Sequence, residues 1–114
     1  MPSTYESILE HVLTLTIIDT HEHLSPFEHE REMDTDVLKE YLRHYFNRDL
    51  ISAGLSRADY QQVIDVTLPL MQRWELVEPY WEIARHTGYG RTLDIAARDL
   101  YGLDGVRRTT IEPL

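Results

Sequence analysis

One short run constrains the fold of this chain more than any other: Leu15-Thr16-Ile17-Ile18-Asp19-Thr20. In an extended segment Leu15 and Ile17 point one way and Ile18 the other, so both faces are apolar. A strand of that kind suits a position covered on both sides, as in a parallel sheet. Its N–H and C=O groups then need neighbouring strands, because a buried strand cannot satisfy them alone. No second stretch with strand periodicity follows, and from residue 35 onward the apolar pattern is helical. The expected fold class is therefore predominantly α: one short N-terminal β-strand and four or five helices.

The same run ends in residues that can do chemistry, Asp19-Thr20-His21-Glu22-His23-Leu24. If residues 16–23 are extended, Asp19, His21 and His23 point to one face. Two imidazoles on one face can hold one divalent cation. A zinc ion takes about four ligands, or three plus water, so His21 and His23 supply half a site and the other donors must come from elsewhere. His29 is a candidate for a further ligand or a lid residue, or is simply a surface histidine. His11, His44 and His86 sit among polar or charged neighbours and read as surface or packing residues.

Composition narrows the function. The chain has 114 residues and a formal net charge of −9. That balance argues against binding a nucleic-acid backbone, which needs clustered Lys and Arg. The one adjacent basic pair is Arg107-Arg108, while acids gather after the histidines at Glu22, Glu28, Glu30, Glu32, Asp34 and Asp36, a run that reads as a solvated loop. No run of about 18 apolar residues is present, so no transmembrane helix is expected. Zero cysteines excludes thiolate metal sites and disulfides. The segment Met1 to Ser7 lacks the basic and apolar regions of a secretory leader, and a cytoplasmic location is expected.

Taken in order, residues 3–14 read as an N-terminal helix. Ser3 and Glu6 have the spacing of a capping box, and Tyr5, Ile8, Leu9, Val12 and Leu13 form one apolar stripe. Residues 15–23 carry the strand and the His-x-His pair, and residues 24–34 form a polar loop containing Pro26. The helical segment spans residues 35–102. Its first helix starts at Asp34 or Thr35 and runs to about Asn47, carrying Val37, Leu38, Tyr41, Leu42, Tyr45 and Phe46. Asp49 to Ala53 adds a short turn stopped by Gly54. Ser56 with Asp59 opens a further helix with Tyr60, Val63 and Ile64. Leu70, Trp74, Val77, Trp81 and Ala84 form a helical seam after Pro69, with Pro79 expected to kink or divide it and Gly88 and Gly90 to end it. Arg91 to Tyr101 is the last helix, with Leu93, Ala96, Ala97 and Leu100 inward and Gly102 as its stop. The aromatics Tyr41, Tyr45, Trp74, Tyr80 and Trp81 read as core or interface.

The string from Asp19 to Leu24 resembles the strand-1 signature of the amidohydrolase superfamily, metal-dependent (β/α)₈ barrels in which His-x-His binds the metal. Ser25-Pro26, Arg73-Trp74, Glu78-Pro79-Tyr80-Trp81 and Arg98-Asp99-Leu100-Tyr101-Gly102, within a long helical stretch, resemble the uronate isomerase-like and amidohydrolase-2-like branch. The resemblance implies the first strand and helical insertion of such a barrel. A whole barrel takes about 250 residues, so the chain is expected to be a single unit forming the N-terminal portion of a longer enzyme. His21 and His23 are the residues carried over as ligands of a divalent metal, zinc; the role of Asp19 looks structural. The implied chemistry is hydrolysis of amides or esters, or uronate-type isomerisation, on a small-molecule substrate, with the metal polarising a carbonyl or activating water. The catalytic acid or base is not assigned.

Two other readings follow from the same residues. A non-catalytic helical interaction module would carry His-x-His incidentally, and its exposed apolar faces would favour a homo-oligomer. A small zinc domain could use His21, His23, His29 and an acid, although structural zinc sites favour cysteine.

Overall fold

The computed structural model describes residues 1–23, 26–31 and 33–114. Among the described residues six α-helices and one 3₁₀ turn are formed, and no strand occurs. The chain divides into two compact units, Met1–Glu32 and Met33–Leu114. No described helix is long and apolar enough to cross a membrane.

In the first unit, helix α1 spans Thr4–Leu13. Its start is the expected capping box: Ser3 Oγ accepts from the Glu6 N–H, and Glu6 Oε2 accepts from the Ser3 N–H at 2.6 Å. That backbone hydrogen bond holds the Glu6 carboxyl below its ordinary range. The apolar stripe is present and exposed: Tyr5 is 72 % exposed and Leu13 76 %. Residues 16–23 take no regular structure, and a 3₁₀ turn follows at Glu28–Glu30. The expected strand over 15–23 is thereby corrected, and with it the expectation of the first strand of a (β/α)₈ barrel. Ile17 and Ile18 are each 82 % exposed. Apolar β-branched residues favour an extended chain, but a strand exists only where a neighbour completes its ladder, and no such neighbour occurs among the described residues. Leu24, Ser25 and Glu32, within the expected loop, lie outside the described residues.

The second unit is built from α2 (Val37–Leu42), α3 (Phe46–Ser52), α4 (Arg57–Val63), α5 (Leu70–Ala84) and α6 (Gly88–Tyr101). Its core gathers Leu38, Leu42, Phe46, Leu50, Leu55, Val63, Trp74, Val77, Trp81 and Ala97 with Val106 and Ile111 from the C-terminal turns. Helix α5 is the centre of this core. Trp74, Val77, Trp81 and Ala84 are the predicted seam, and the Trp81 ring meets Phe46 edge-on at 5.6 Å between centroids. Pro79 does not divide the helix. It lies on the exposed face, where the carbonyl left without its N–H partner can be solvated. The helix expected to run to Asn47 breaks instead at Arg43–Tyr45, with His44 in the left-handed region at φ 61°. Asp36, rather than Asp34 or Thr35, caps α2 by accepting from the Lys39 N–H.

A buried charge ties these elements together. Arg73 on α5 is 2 % exposed. Its Nε donates to the Leu68 carbonyl at 3.0 Å and its Nη1 to the Val63 carbonyl at 3.0 Å, while Nη1 and Nη2 both reach the Asp36 carboxylate. Burial pushes the Asp36 carboxyl up, but the hydrogen bonds from Arg73 and the Lys39 N–H, with the nearby guanidinium charge, outweigh it and hold the group below the usual carboxylate range.

Gly88 and Gly90 open α6 rather than ending α5. Thr87 caps α6 by accepting from the Gly90 N–H, and its hydroxyl donates to Asp49 Oδ2 on α3 at 2.8 Å. A Cβ at Gly90 would sit 2.5 Å from Arg85 Cα and 2.7 Å from the Ala84 carbonyl oxygen, so this turn closes only with glycine. Helix α6 ends as expected at Gly102, φ 68°. Of the residues expected inward, Ala97 is buried and Leu93 and Ala96 half-buried, whereas Leu100 is exposed.

Two outcomes are expected. Asp36→Asn keeps a competent helix cap but leaves the Arg73 guanidinium buried without a counter-charge, and costs about 3 kcal/mol in denaturant unfolding. Because Asp36 is depressed in the folded state, its contribution is complete above the ordinary carboxylate range and is lost as pH falls through the depressed value. The variant should lack that acid-dependent loss; equal stability and equal acid sensitivity would contradict the pairing. Gly90→Ala should cost about 1–3 kcal/mol through backbone overlap, measured as a lowered midpoint, and an unchanged midpoint would show that the turn can shift freely.

Candidate metal centre

His21 and His23 lie in the irregular segment after α1, and local hydrogen bonds set the backbone at both. The His21 N–H donates to Asp19 Oδ1 at 3.0 Å, the short-range bond by which Asp shapes a turn. The His23 N–H donates to Glu22 Oε1 at 2.7 Å. Asp19 therefore uses one carboxylate oxygen on the backbone of the first histidine.

The two rings converge. Nε2 of His21 and Nε2 of His23 are 2.8 Å apart, and the rings meet edge-on with centroids 4.7 Å apart. At that separation one nitrogen carries a proton and the other accepts it. Two nitrogens bound to one tetrahedral zinc, each at about 2.0–2.1 Å, would stand about 3.3 Å apart. Replacing the shared proton with a cation thus requires the rings to part by about half an ångström, and both are exposed and unconstrained by core packing. The donor chemistry fits a divalent cation at two positions.

The fit stops at two. Among the described residues no group of three or more His, Cys, Asp or Glu side chains is placed to hold a metal ion. His29 lies in the 3₁₀ turn, with its ring 5.8 Å from that of Phe27. His44 and His86 belong to the second unit and are exposed, as expected for surface residues. Of the aromatics, Trp74 and Trp81 are core, Tyr41 and Tyr80 are half-buried, and Tyr45 is exposed and stacks on Tyr89 at 5.9 Å.

Two further charged sites escaped the sequence reading because their partners are distant in sequence. Arg73–Asp36 is one. The other is Asp94 on α6, 8 % exposed, which accepts from the Val106 N–H at 2.8 Å and from Arg85 Nη2 at 2.9 Å. Burial alone would lower the Arg85 pKa; the hydrogen bond and charge of Asp94, aided by Glu82, raise it instead. Gly105, at φ 74°, makes room for this carboxylate, since a Cβ there would lie 2.7 Å from Asp94 Oδ1. No family model, curated protein or solved structure matches the chain.

Proposed function

We propose that this chain is the His-x-His-bearing, N-terminal part of a metal-dependent hydrolase of the amidohydrolase type, with His21 and His23 as two ligands of a divalent cation, zinc. The observation that carries the reading is the convergence of the two Nε2 atoms at 2.8 Å. A cation held there would supply Lewis-acid polarisation of a substrate carbonyl. The residues of the chain have three tasks. Each imidazole presents a neutral Nε2 lone pair, which requires the shared proton to leave for solvent. Asp19 and Glu22 hold the backbone N–H groups of the two histidines. The remaining ligand positions fall to donors other than these two rings. Hydrolysis of an amide or ester and isomerisation of an open-chain sugar acid both fit such a cation, and both call for a small-molecule substrate. The net charge of −9 fits a partner other than nucleic acid, and the lack of cysteine fits a cytoplasmic setting.

A second reading has its own observation. Tyr5, Ile8, Val12 and Leu13 leave an apolar face of α1 exposed, which suits a helical interaction module or a homo-oligomer.

Zinc titration followed by histidine ring resonances tests the first reading. The signals of His21 and His23 should shift together along one saturable curve, while those of His11, His44 and His86 stay in place. In His21→Ala/His23→Ala the affinity should fall by about tenfold or more; unchanged affinity would remove the assignment. Amide or ester hydrolysis by the protein isolated in its native assembly should be abolished by a chelator and by the same double substitution, and chelator-insensitive turnover would contradict a metal role. Sedimentation separates the second reading: concentration-dependent association lost in Ile8→Glu/Val12→Glu supports it, and a monomer at all concentrations contradicts it.

A further inference from the structure

The second unit carries a cationic cleft on an otherwise acidic chain. It has a volume of about 440 Å³ and is lined by Arg85, His86, Arg91, Asp94, Ile95 and Arg98. Arg91, Ile95 and Arg98 stand at i, i+4 and i+7 on α6 and therefore share one face. Arg85 and His86 come from the turn that Gly90 allows to close against α6. Three of the chain's 11 Lys and Arg side chains thus meet in one cleft.

The single carboxylate in the lining is already committed. Asp94 Oδ1 accepts from the Val106 N–H and Oδ2 accepts from Arg85 Nη2. Arg85 also meets Glu82, at 3.5 Å. Arg91 and Arg98 form no side-chain hydrogen bond or ion pair among the described residues, in contrast to Arg43, Arg73, Arg107 and Arg108, each of which pairs with an acid. Two unpaired guanidiniums therefore flank an Arg85 held in place by a buried carboxylate, with an imidazole beside them. Planar guanidiniums bind oxyanions through paired N–H donors, and Ile95 supplies an apolar wall.

We propose that this cleft binds a small organic oxyanion, one bearing a phosphate or carboxylate group, through Arg91 and Arg98 with Arg85 and His86 at its margin. The volume lies in the range of small-molecule sites and exceeds the need of a bare ion. This site shares no residue with the histidine pair, so it stands or falls independently of the metal reading.

The test uses the full chain at constant ionic strength, titrated separately with inorganic phosphate and with succinate. The arginine Nε–Hε signals of Arg91 and Arg98 are followed by nuclear magnetic resonance. Saturable shifts at both arginines are expected, and the anion giving the tighter curve identifies the headgroup. Arg91→Gln/Arg98→Gln should weaken that curve at least tenfold while leaving the melting temperature in place, since neither side chain has a partner to lose among the described residues. Arg57→Gln, an exposed arginine on α4, should leave it unchanged. Non-saturable shifts with both anions, or equal weakening by Arg57→Gln, would overturn the proposal by reducing it to general charge screening. If the double variant is less stable, Arg91→Lys/Arg98→Lys replaces it: retained charge with weakened binding supports paired guanidinium contacts, and undiminished binding overturns them.

Discussion

The guanidinium of Arg73 is the point on which the second unit depends. It reaches the end of α4 through Val63, the following turn through Leu68, and the start of α2 through Asp36, all from the first turn of the central helix α5. Burying a charge is costly unless it is paired and its donors are used, and here several donors find acceptors. Asp36 also caps α2, so one carboxylate fixes where that helix begins and which way it meets α5. An apolar residue at position 73 could fill the space, but it would leave the Val63 and Leu68 carbonyls to find other donors.

Around that anchor the core follows ordinary packing. Trp74 and Trp81 provide the bulk of α5's buried face, and Phe46, Leu42 and Leu50 close on it from α2 and α3. A second, smaller polar assembly completes the other end. Asp94 takes the Val106 N–H, which sets the C-terminal turns so that Val106 and Ile111 enter the core. Thr110 reinforces those turns by donating to the Gly105 carbonyl at 2.6 Å. The ion pairs of Arg108 with Glu75 and Glu78 lie at the surface, where such pairs contribute little.

Periodicity made the helices legible. The spacing of Trp74, Val77, Trp81 and Ala84 located the buried face of α5, and Ser3, Ser56 and Gly102 marked helix ends where the structure places them. Local signals failed where a distant contact decides. Asp36 read as one acid in a solvated run because its partner lies 37 residues away. Gly90 read as a terminator because the close approach to Ala84 and Arg85 is a tertiary matter. Val106 and Ile111 enter the core from C-terminal turns that begin at the hydrogen bond from the Val106 N–H to Asp94, a contact that periodicity does not show. The segment with Ile17 and Ile18 erred in the other direction: residue preference described a strand, but pairing requires a neighbour. At the candidate metal centre the spacing of His21 and His23 reads as putting both rings on one face of a strand. The rings do approach, with their Nε2 atoms 2.8 Å apart, but in an irregular segment, so strand alternation is not what brings them together.

Stability is divided along the chain: the second unit is a cooperative body held by Arg73 and the α5 seam, whereas α1 and the histidine segment depend on local bonds. Native-state hydrogen exchange on the full chain tests it most directly. The account predicts that amides of α4 and α5 exchange only through global unfolding, and that those of α1 and residues 15–23 exchange orders of magnitude faster. Equal protection of α1 and α5 would contradict it, because an apolar stripe as exposed as that of Tyr5, Ile8 and Leu13 could not support such protection.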